Sequence, residues 1–228
     1  MVFSNLIFLY LFLPVCLIAY FFCPGIRAKN AVLILFSLIF YAWGEPVYLL
    51  LMIASAAVNW YFGLLIERRR KKIFLILALV LDLGCLAVFK YAGFFVENLN
   101  AVFGASIPVP QIALPIGISF YTFQALSYTV DVWRGDVPAQ RSFAKLLLYI
   151  SCPQLIAGPI VRYSDVAAQI DDRQFDASEA FYGATRFCIG LAKKVLLADA
   201  AGKVASQILD GSLASNTTVA AWLGILLY

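Results

Sequence analysis

The 228 residues include no histidine, and aspartate, glutamate, lysine and arginine together make up only 13% of them. Without imidazole there is no general base of the usual neutral-pH kind, no Ser-His-Asp triad and no histidine ligand for a metal. The five cysteines, Cys16, Cys23, Cys85, Cys152 and Cys188, lack metal-ligand spacing, and four of them sit in apolar runs, so they read as buried free thiols. No glycine-rich phosphate loop and no Gly-x-Ser-x-Gly elbow occurs. Ser119 and Ser151 stand alone in apolar segments with no activating partner, and read as helix-packing residues. Neither a metal nor a cofactor is implied.

What is abundant is apolar surface. Hydrophobic residues make up 63% of the chain and the mean hydropathy is +0.89. Soluble domains are nearer half apolar and a quarter charged. The composition therefore predicts an all-α, multi-pass transmembrane helical bundle. Arg68 to Lys72 is an unbroken basic run, but it lies between two apolar segments. It reads as a cytoplasmic loop under the positive-inside rule, not as a nucleic-acid patch. No positive stretch precedes Leu6, and Tyr20-Phe21-Phe22 before Cys23 lacks the small residues of a processing site, so the first apolar segment is expected to stay uncleaved.

A bilayer core of about 30 Å takes about 20 helical residues. Leu6 to Phe22, Ala31 to Trp43, Val47 to Ile66, Ile73 to Phe89 and Ile112 to Val130 are predicted crossings. Tyr91 to Gln111 is predicted as an external connection, with Ala92 to Phe103 lying on the membrane surface. Asp82, in mid-span, is costly unless it faces the bundle, and reads as a satisfied structural carboxylate. This topology leaves the amino terminus outside and the loops at Arg27/Lys29, Arg68 to Lys72 and Arg134/Arg141 in the cytoplasm. Phe143 to Val161 is long enough to span but is interrupted at Pro153 and Gly158-Pro159, and reads as a broken or re-entrant element. Ser164 to Ser178 is polar and reads as interfacial. Phe181 to Ala201 resumes an apolar pattern but holds Arg186, Lys193 and Lys194, and can cross or lie along the cytoplasmic face. Gly202 to Thr218 reads as a polar connection. Val219 to Tyr228 offers ten apolar residues, half of a span, which reads as a break within a transmembrane helix.

Two segments carry polar groups at membrane depth. One runs Leu-Pro-Ile-Gly-Ile-Ser-Phe-Tyr-Thr-Phe-Gln from Leu114 to Gln124 and on to Arg134; the other is Pro-Gln-Leu-Ile-Ala-Gly-Pro-Ile-Val-Arg-Tyr from Pro153 to Tyr163. Steps of three and four residues put Gln124, Ser127, Tyr128 and Asp131 on one side of a helix. That side can line a tunnel or make a helix-to-helix polar contact. Asp131 and Arg134 are spaced to pair near the cytoplasmic mouth. Gln154 and Arg162 can contact substrate or satisfy carbonyls freed by the prolines.

These two strings, with the opening Met-Val-Phe-Ser-Asn and with Phe-Tyr-Ala-Trp-Gly-Glu-Pro from Phe40 to Pro46, resemble the membrane-bound O-acyltransferase family. Within it they resemble the bacterial branch of alginate O-acetylases and the D-alanyl transfer protein of teichoic acid modification. The resemblance implies a ring of helices around a central tunnel, where acyl donor and acceptor meet at a histidine from opposite sides of the membrane. That histidine lies further along a longer chain, so residues 1–228 are expected to form the front part of one membrane-embedded domain and to be inactive alone. The implied activity is acetylation of hydroxyls on an exported polysaccharide such as alginate, in a bacterial inner membrane, with periplasmic or membrane partners. D-alanyl transfer stays open within the same fold. Broken helices and buried Asp82, taken alone, also fit a transporter or channel, and the missing histidine fits a non-catalytic scaffold subunit. The tunnel-lining candidates are Gln124, Tyr128, Asp131, Arg134, Gln154 and Arg162.

Overall fold

The computed structural model describes residues 5–104, 106–110, 112–151, 161–210 and 217–228. Among them the regular elements are all helical: α1 (Leu13–Phe22), α2 (Gly25–Ala42), α3 (Tyr48–Arg69), α4 (Lys72–Phe103), α5 (Ile118–Arg134), α6 (Phe143–Ser151), α7 (Tyr163–Asp171), α8 (Ala177–Ala192), α9 (Asp199–Leu209) and α10 (Thr218–Leu227). π-helical turns at Phe8–Phe12 and Lys193–Ala198 precede α1 and α9. The chain divides into two compact units, one holding α1 to α7 and the other the Phe8–Phe12 turn with α8 to α10.

In the first unit, α2, α3 and α4 are long and apolar enough to cross a membrane. Helix α5 has more buried residues than any other described helix, although it is rich in Ser, Thr, Tyr, Gln and Asp: ten of its residues are buried, against three in the 32-residue α4. Lipid rewards apolar surface on the outside of such a bundle, so polar residues collect inside. Against α5, α3 turns Ala56, Asn59 and Gly63, spaced three and four residues apart and all buried. Small residues let helices approach closely and gain van der Waals contact, the main attraction left when lipid competes for apolar surface. Gly63 has no side chain where one would collide with Tyr128: a Cβ there would lie 2.8 Å from the Tyr128 hydroxyl.

Several expected boundaries move. Residues 73–103 were expected as a crossing followed by a separate surface helix, yet α4 runs unbroken through Lys90. At about 1.5 Å per residue it spans about 48 Å, well beyond the about 30 Å of the hydrocarbon core. Nothing between Phe89 and Phe103 breaks a helix; Gly104, in the left-handed region at φ 62°, does. The chain then doubles back, with Asn100 donating to the Ile107 carbonyl at 2.8 Å and accepting from the Ile107 amide at 3.0 Å. The fifth helix starts at Ile118, not Ile112, because Pro115 disfavours helix before it and Gly117, at φ 77°, sets the start. Residues 202–209, expected as a polar connection, belong to α9, where Val204 and Ile208, four residues apart, continue a helical pattern across the serine and glutamine. Among the described cysteines Cys16, Cys23, Cys85 and Cys188 are free as expected, but the first three are only half-buried and Cys188 is exposed. An apolar segment here can spend its surface on lipid as readily as on protein. The proposed break at Pro153, Gly158 and Pro159, and Cys152 itself, lie outside the described residues.

The ends of the helices in this unit sort into two sets. At one end Tyr41 donates its hydroxyl to the Ile116 carbonyl at 3.0 Å and Tyr48 donates to Ala113 at 2.9 Å, so the start of α3 meets the non-helical 112–117 segment. At the other end Glu67 pairs with Arg141 and accepts from the Ala139 amide, Lys145 pairs with Asp171, and Asn30 donates to the Ile170 carbonyl at 2.9 Å. The loops that carry Arg68 to Lys72 and Arg134 to Arg141 therefore share one end of the bundle with the start of α2.

Candidate functional site

The polar side of α5 faces protein. Gln124 is 3% exposed, and Tyr128 and Asp131 are equally enclosed. The Gln124 side-chain amide donates to the Tyr149 carbonyl on α6 at 2.7 Å. Ser127 donates to the Gln124 carbonyl at 2.8 Å and stands 3.4 Å from the Tyr149 hydroxyl, which itself donates to the Val161 carbonyl at 2.7 Å. The Tyr128 hydroxyl accepts from the Gln140 amide at 2.9 Å. Gln140 in turn donates its side-chain amide to the Tyr163 hydroxyl at 2.6 Å. The Tyr163 ring stands edge-on to both Tyr128 and Tyr149, with centroids 5.2 and 5.3 Å away. Three tyrosines thus join α5, α6 and α7, each with an apolar ring against its neighbours and a hydroxyl that finds a partner.

Not every polar atom here is matched. The Asp131 Oδ2, Ser151 Oγ and Tyr121 hydroxyl are buried without a hydrogen-bond partner. Such atoms cost about 1–3 kcal/mol each when left unmatched, so they mark where a hydroxyl, water or substrate group gains most by entering. Asp131 can accept there, whereas Ser151 and Tyr121 can also donate.

Next to Tyr163 a cavity of about 500 Å³ opens between the 136–141 loop and α7, lined among others by Glu67, Gln140, Arg141, Ser164 and Asp171. Two of the tunnel-lining candidates lie on the surface: Arg134, at the end of α5, and Arg162, which precedes α7, are both exposed. Arg134 is absent from the ion pairs among the described residues, so the expected Asp131–Arg134 pair does not form. Gly135, at φ 84°, ends the helix directly after Arg134, and the side chain goes to solvent, where a guanidinium is better hydrated. Gln154 lies outside the described residues.

A second buried set lies on the far side of α5. Asp82 accepts from Asn59 at 2.8 Å and from Ser55 at 3.3 Å, and Thr129 donates to Asn59 at 2.7 Å. Asn59 uses both ends of its amide, giving to α4 and receiving from α5, so a satisfied carboxylate ties three helices together.

The sequence pointed to Gln124, Tyr128 and Asp131 by spacing alone. It did not single out Tyr149, Gln140 or Glu67, whose roles depend on contacts 72 residues apart in the case of Glu67 and Ala139. Tyr163 had a signal, as the last residue of the second proline-broken string. Among the described residues no group of three or more Cys, Asp or Glu is placed to hold a metal.

Over its whole length the chain is 41% identical to a probable alginate O-acetylase, AlgI, of Pseudomonas aeruginosa. It is 40% identical to the protein of the same name from Azotobacter vinelandii and 31% identical to a peptidoglycan O-acetyltransferase of Helicobacter pylori. The chain spans about half the length of these relatives: 45%, 47% and 50%. No family model matches, and no solved structure does. With every residue of the chain inside these matches, the chain belongs to the membrane-bound O-acyltransferase family, in the branch that holds the proteins named alginate O-acetylases.

Proposed function

We propose that this chain supplies the tunnel-side helices of a membrane O-acyltransferase that moves acetyl groups onto hydroxyls of an exported polysaccharide, alginate being the favoured acceptor. The observation that carries this reading is the whole-chain identity of 41% and 40% to proteins named as alginate O-acetylases. The 31% match to a peptidoglycan O-acetyltransferase supports a second reading, in which the acceptor is a cell-wall glycan. D-alanyl transfer has no comparable support.

Acyl transfer to a hydroxyl needs a base and donors for the developing oxyanion. The base that the family resemblance implies is a histidine, and these residues contain none. Their part is therefore positional. Gln124 and Tyr128 lock α5 to α6 and to the 136–141 loop; Asp131, with its unmatched oxygen, accepts from a hydroxyl-bearing ligand. Arg134 serves at the mouth, where acyl donor or acceptor enters, and Arg162 and Gln154 contact substrate. The basic loops gathered at one end of the bundle face the cytoplasm of a bacterial inner membrane, with the amino terminus outside.

A chimaera tests this. The matching 45% of the Pseudomonas aeruginosa protein is replaced by this chain in an alginate-producing host that lacks its own copy, and O-acetyl esters on secreted alginate and on peptidoglycan are counted by NMR. Restored alginate acetylation is expected, with none from residues 1–228 expressed alone. A chimaera that inserts and accumulates yet acetylates neither polymer, while the parent acetylates alginate, overturns the proposal. Acetylated peptidoglycan with bare alginate selects the second reading.

A further inference from the structure

At the start of α2 two cations stand where a helix favours anions. The helix dipole places positive potential at the N-terminus, yet the first turns of α2 carry Arg27 and Lys29, no acidic residue, and no side-chain hydrogen bond at the cap. A third cation joins them from the end of α7: the Arg173 guanidinium lies 5.8 Å from the centre of the Tyr20 ring, and Lys29 Nζ lies 5.2 Å from the same ring. Arg173 also donates to Asn30, while its Nε is buried without a partner. None of these three residues joins an ion pair among the described residues. Directly beside Arg173 a cavity of about 220 Å³ runs between α2, α6 and α7, walled by Leu33, Leu148, Val166 and Ile170 with Gln169 at its polar edge.

We infer that this cluster binds an anionic phospholipid, its phosphate between Arg173 and Lys29 and part of one acyl chain in the cavity. Three features converge on an amphiphilic anion. Unpaired cations over one aromatic ring supply charge, their ammonium and guanidinium N–H groups supply donors for phosphate oxygens, and an apolar slot adjoins them. The cavity is smaller than the about 300 Å³ at which pockets for whole drug-sized ligands begin, so it takes a stretch of chain and leaves the rest of the lipid in the bilayer. Tyr20 holds both cations by ring contact, and Asn30 holds Arg173 while anchoring α7 through the Ile170 carbonyl. An occupied site would therefore tie α1, α2 and α7 together at the end of the bundle where the basic loops gather. The binding does not depend on which acceptor the enzyme modifies.

The test uses the purified protein in detergent, titrated with phosphatidylglycerol, with phosphatidylcholine, or with inorganic phosphate, and followed by native mass spectrometry. One retained phosphatidylglycerol is expected, with no matching phosphatidylcholine adduct and no displacement by millimolar phosphate. A basic residue near an anionic lipid contributes enough that affinity should fall about fivefold in Arg173→Gln or in Lys29→Gln, and about thirtyfold in the pair. Arg68→Gln, in a basic run outside the cluster, should leave binding unchanged. If Arg173→Gln fails to fold, Lys29→Gln against Arg68→Gln decides on its own. Equal retention of both lipids, equal losses at Arg68 and Lys29, or displacement by free phosphate overturns the proposal.

Discussion

Gln124 on α5 donates to the Tyr149 backbone carbonyl on α6 at 2.7 Å, in a setting where neither group reaches solvent. The contact explains why a glutamine can sit in mid-helix in an apolar chain: its amide satisfies a carbonyl close to the end of α6. Gln124→Leu should therefore destabilise the protein by about 1–3 kcal/mol, the cost of a buried acceptor left unmatched. In the full-length enzyme it should lower acyl transfer as well. Thermal unfolding in detergent together with product yield checks it. Unchanged activity and unchanged stability would remove Gln124 from both roles.

Gly63 and Tyr128 are fitted to each other. A Cβ at Gly63 would lie 2.8 Å from the Tyr128 hydroxyl and 3.0 Å from its Cε1. Gly63→Ala should cost about 1–3 kcal/mol by overpacking the α3–α5 contact. Adding Tyr128→Phe removes the oxygen but keeps the ring, so the pair should be less destabilised than the sum of the two changes, and a double-mutant cycle on unfolding temperature reads this coupling. Strict additivity would contradict the packing described for these two residues.

The Asp82 set gives an ordered series. Asp82→Asn keeps an acceptor for Asn59 and brings an amide donor to Ser55, whose hydroxyl can turn from donating to accepting, so it should be tolerated. Asp82→Leu leaves the Asn59 amide only its bond to the Ser55 carbonyl, while Asn59→Leu leaves a buried carboxylate with Ser55 alone and Thr129 with the Ala125 carbonyl alone, so the last should be worst. Accumulation of the intact protein in membranes, compared across the three variants, gives the ranking. An Asp82→Asn variant that accumulates no better than Asn59→Leu would show that the carboxylate does more than satisfy its neighbours.

Topology follows from the two sets of helix ends. In a cysteine-free background, Arg70→Cys should react with an impermeant thiol reagent only from the cytoplasm and Ser106→Cys only from outside. Labelling of both from one side would overturn the assigned orientation and the role given to the basic loops.

Composition alone determined that this chain is a helical membrane protein, because no soluble core can absorb so much apolar surface with so little charge. Local rules determined more: steps of three and four picked Gln124, Tyr128 and Asp131 as one face, whereas the irregular backbone that Pro115 and Gly117 impose before Ile118 was passed over in favour of a helix from Ile112. Those rules act over a few residues, through backbone sterics and helical periodicity, and so are written in the chain itself. They were silent on what the face would meet. Whether Gln124 lines open space or a carbonyl was decided by α6 arriving beside it. Whether Asp82 was stranded or satisfied was decided by Asn59 and Ser55 on α3. Whether α4 stopped at the membrane surface was decided by Gly104, since the apolar stretch before it fits a surface helix and a continued span equally well. Arg173, without an evident role in the sequence, gained its partners Tyr20 and Asn30 only when α7 folded against α2. Hydrogen bonds and close packing act between whichever groups the fold brings within about 3–4 Å, and only the tertiary structure chooses those groups.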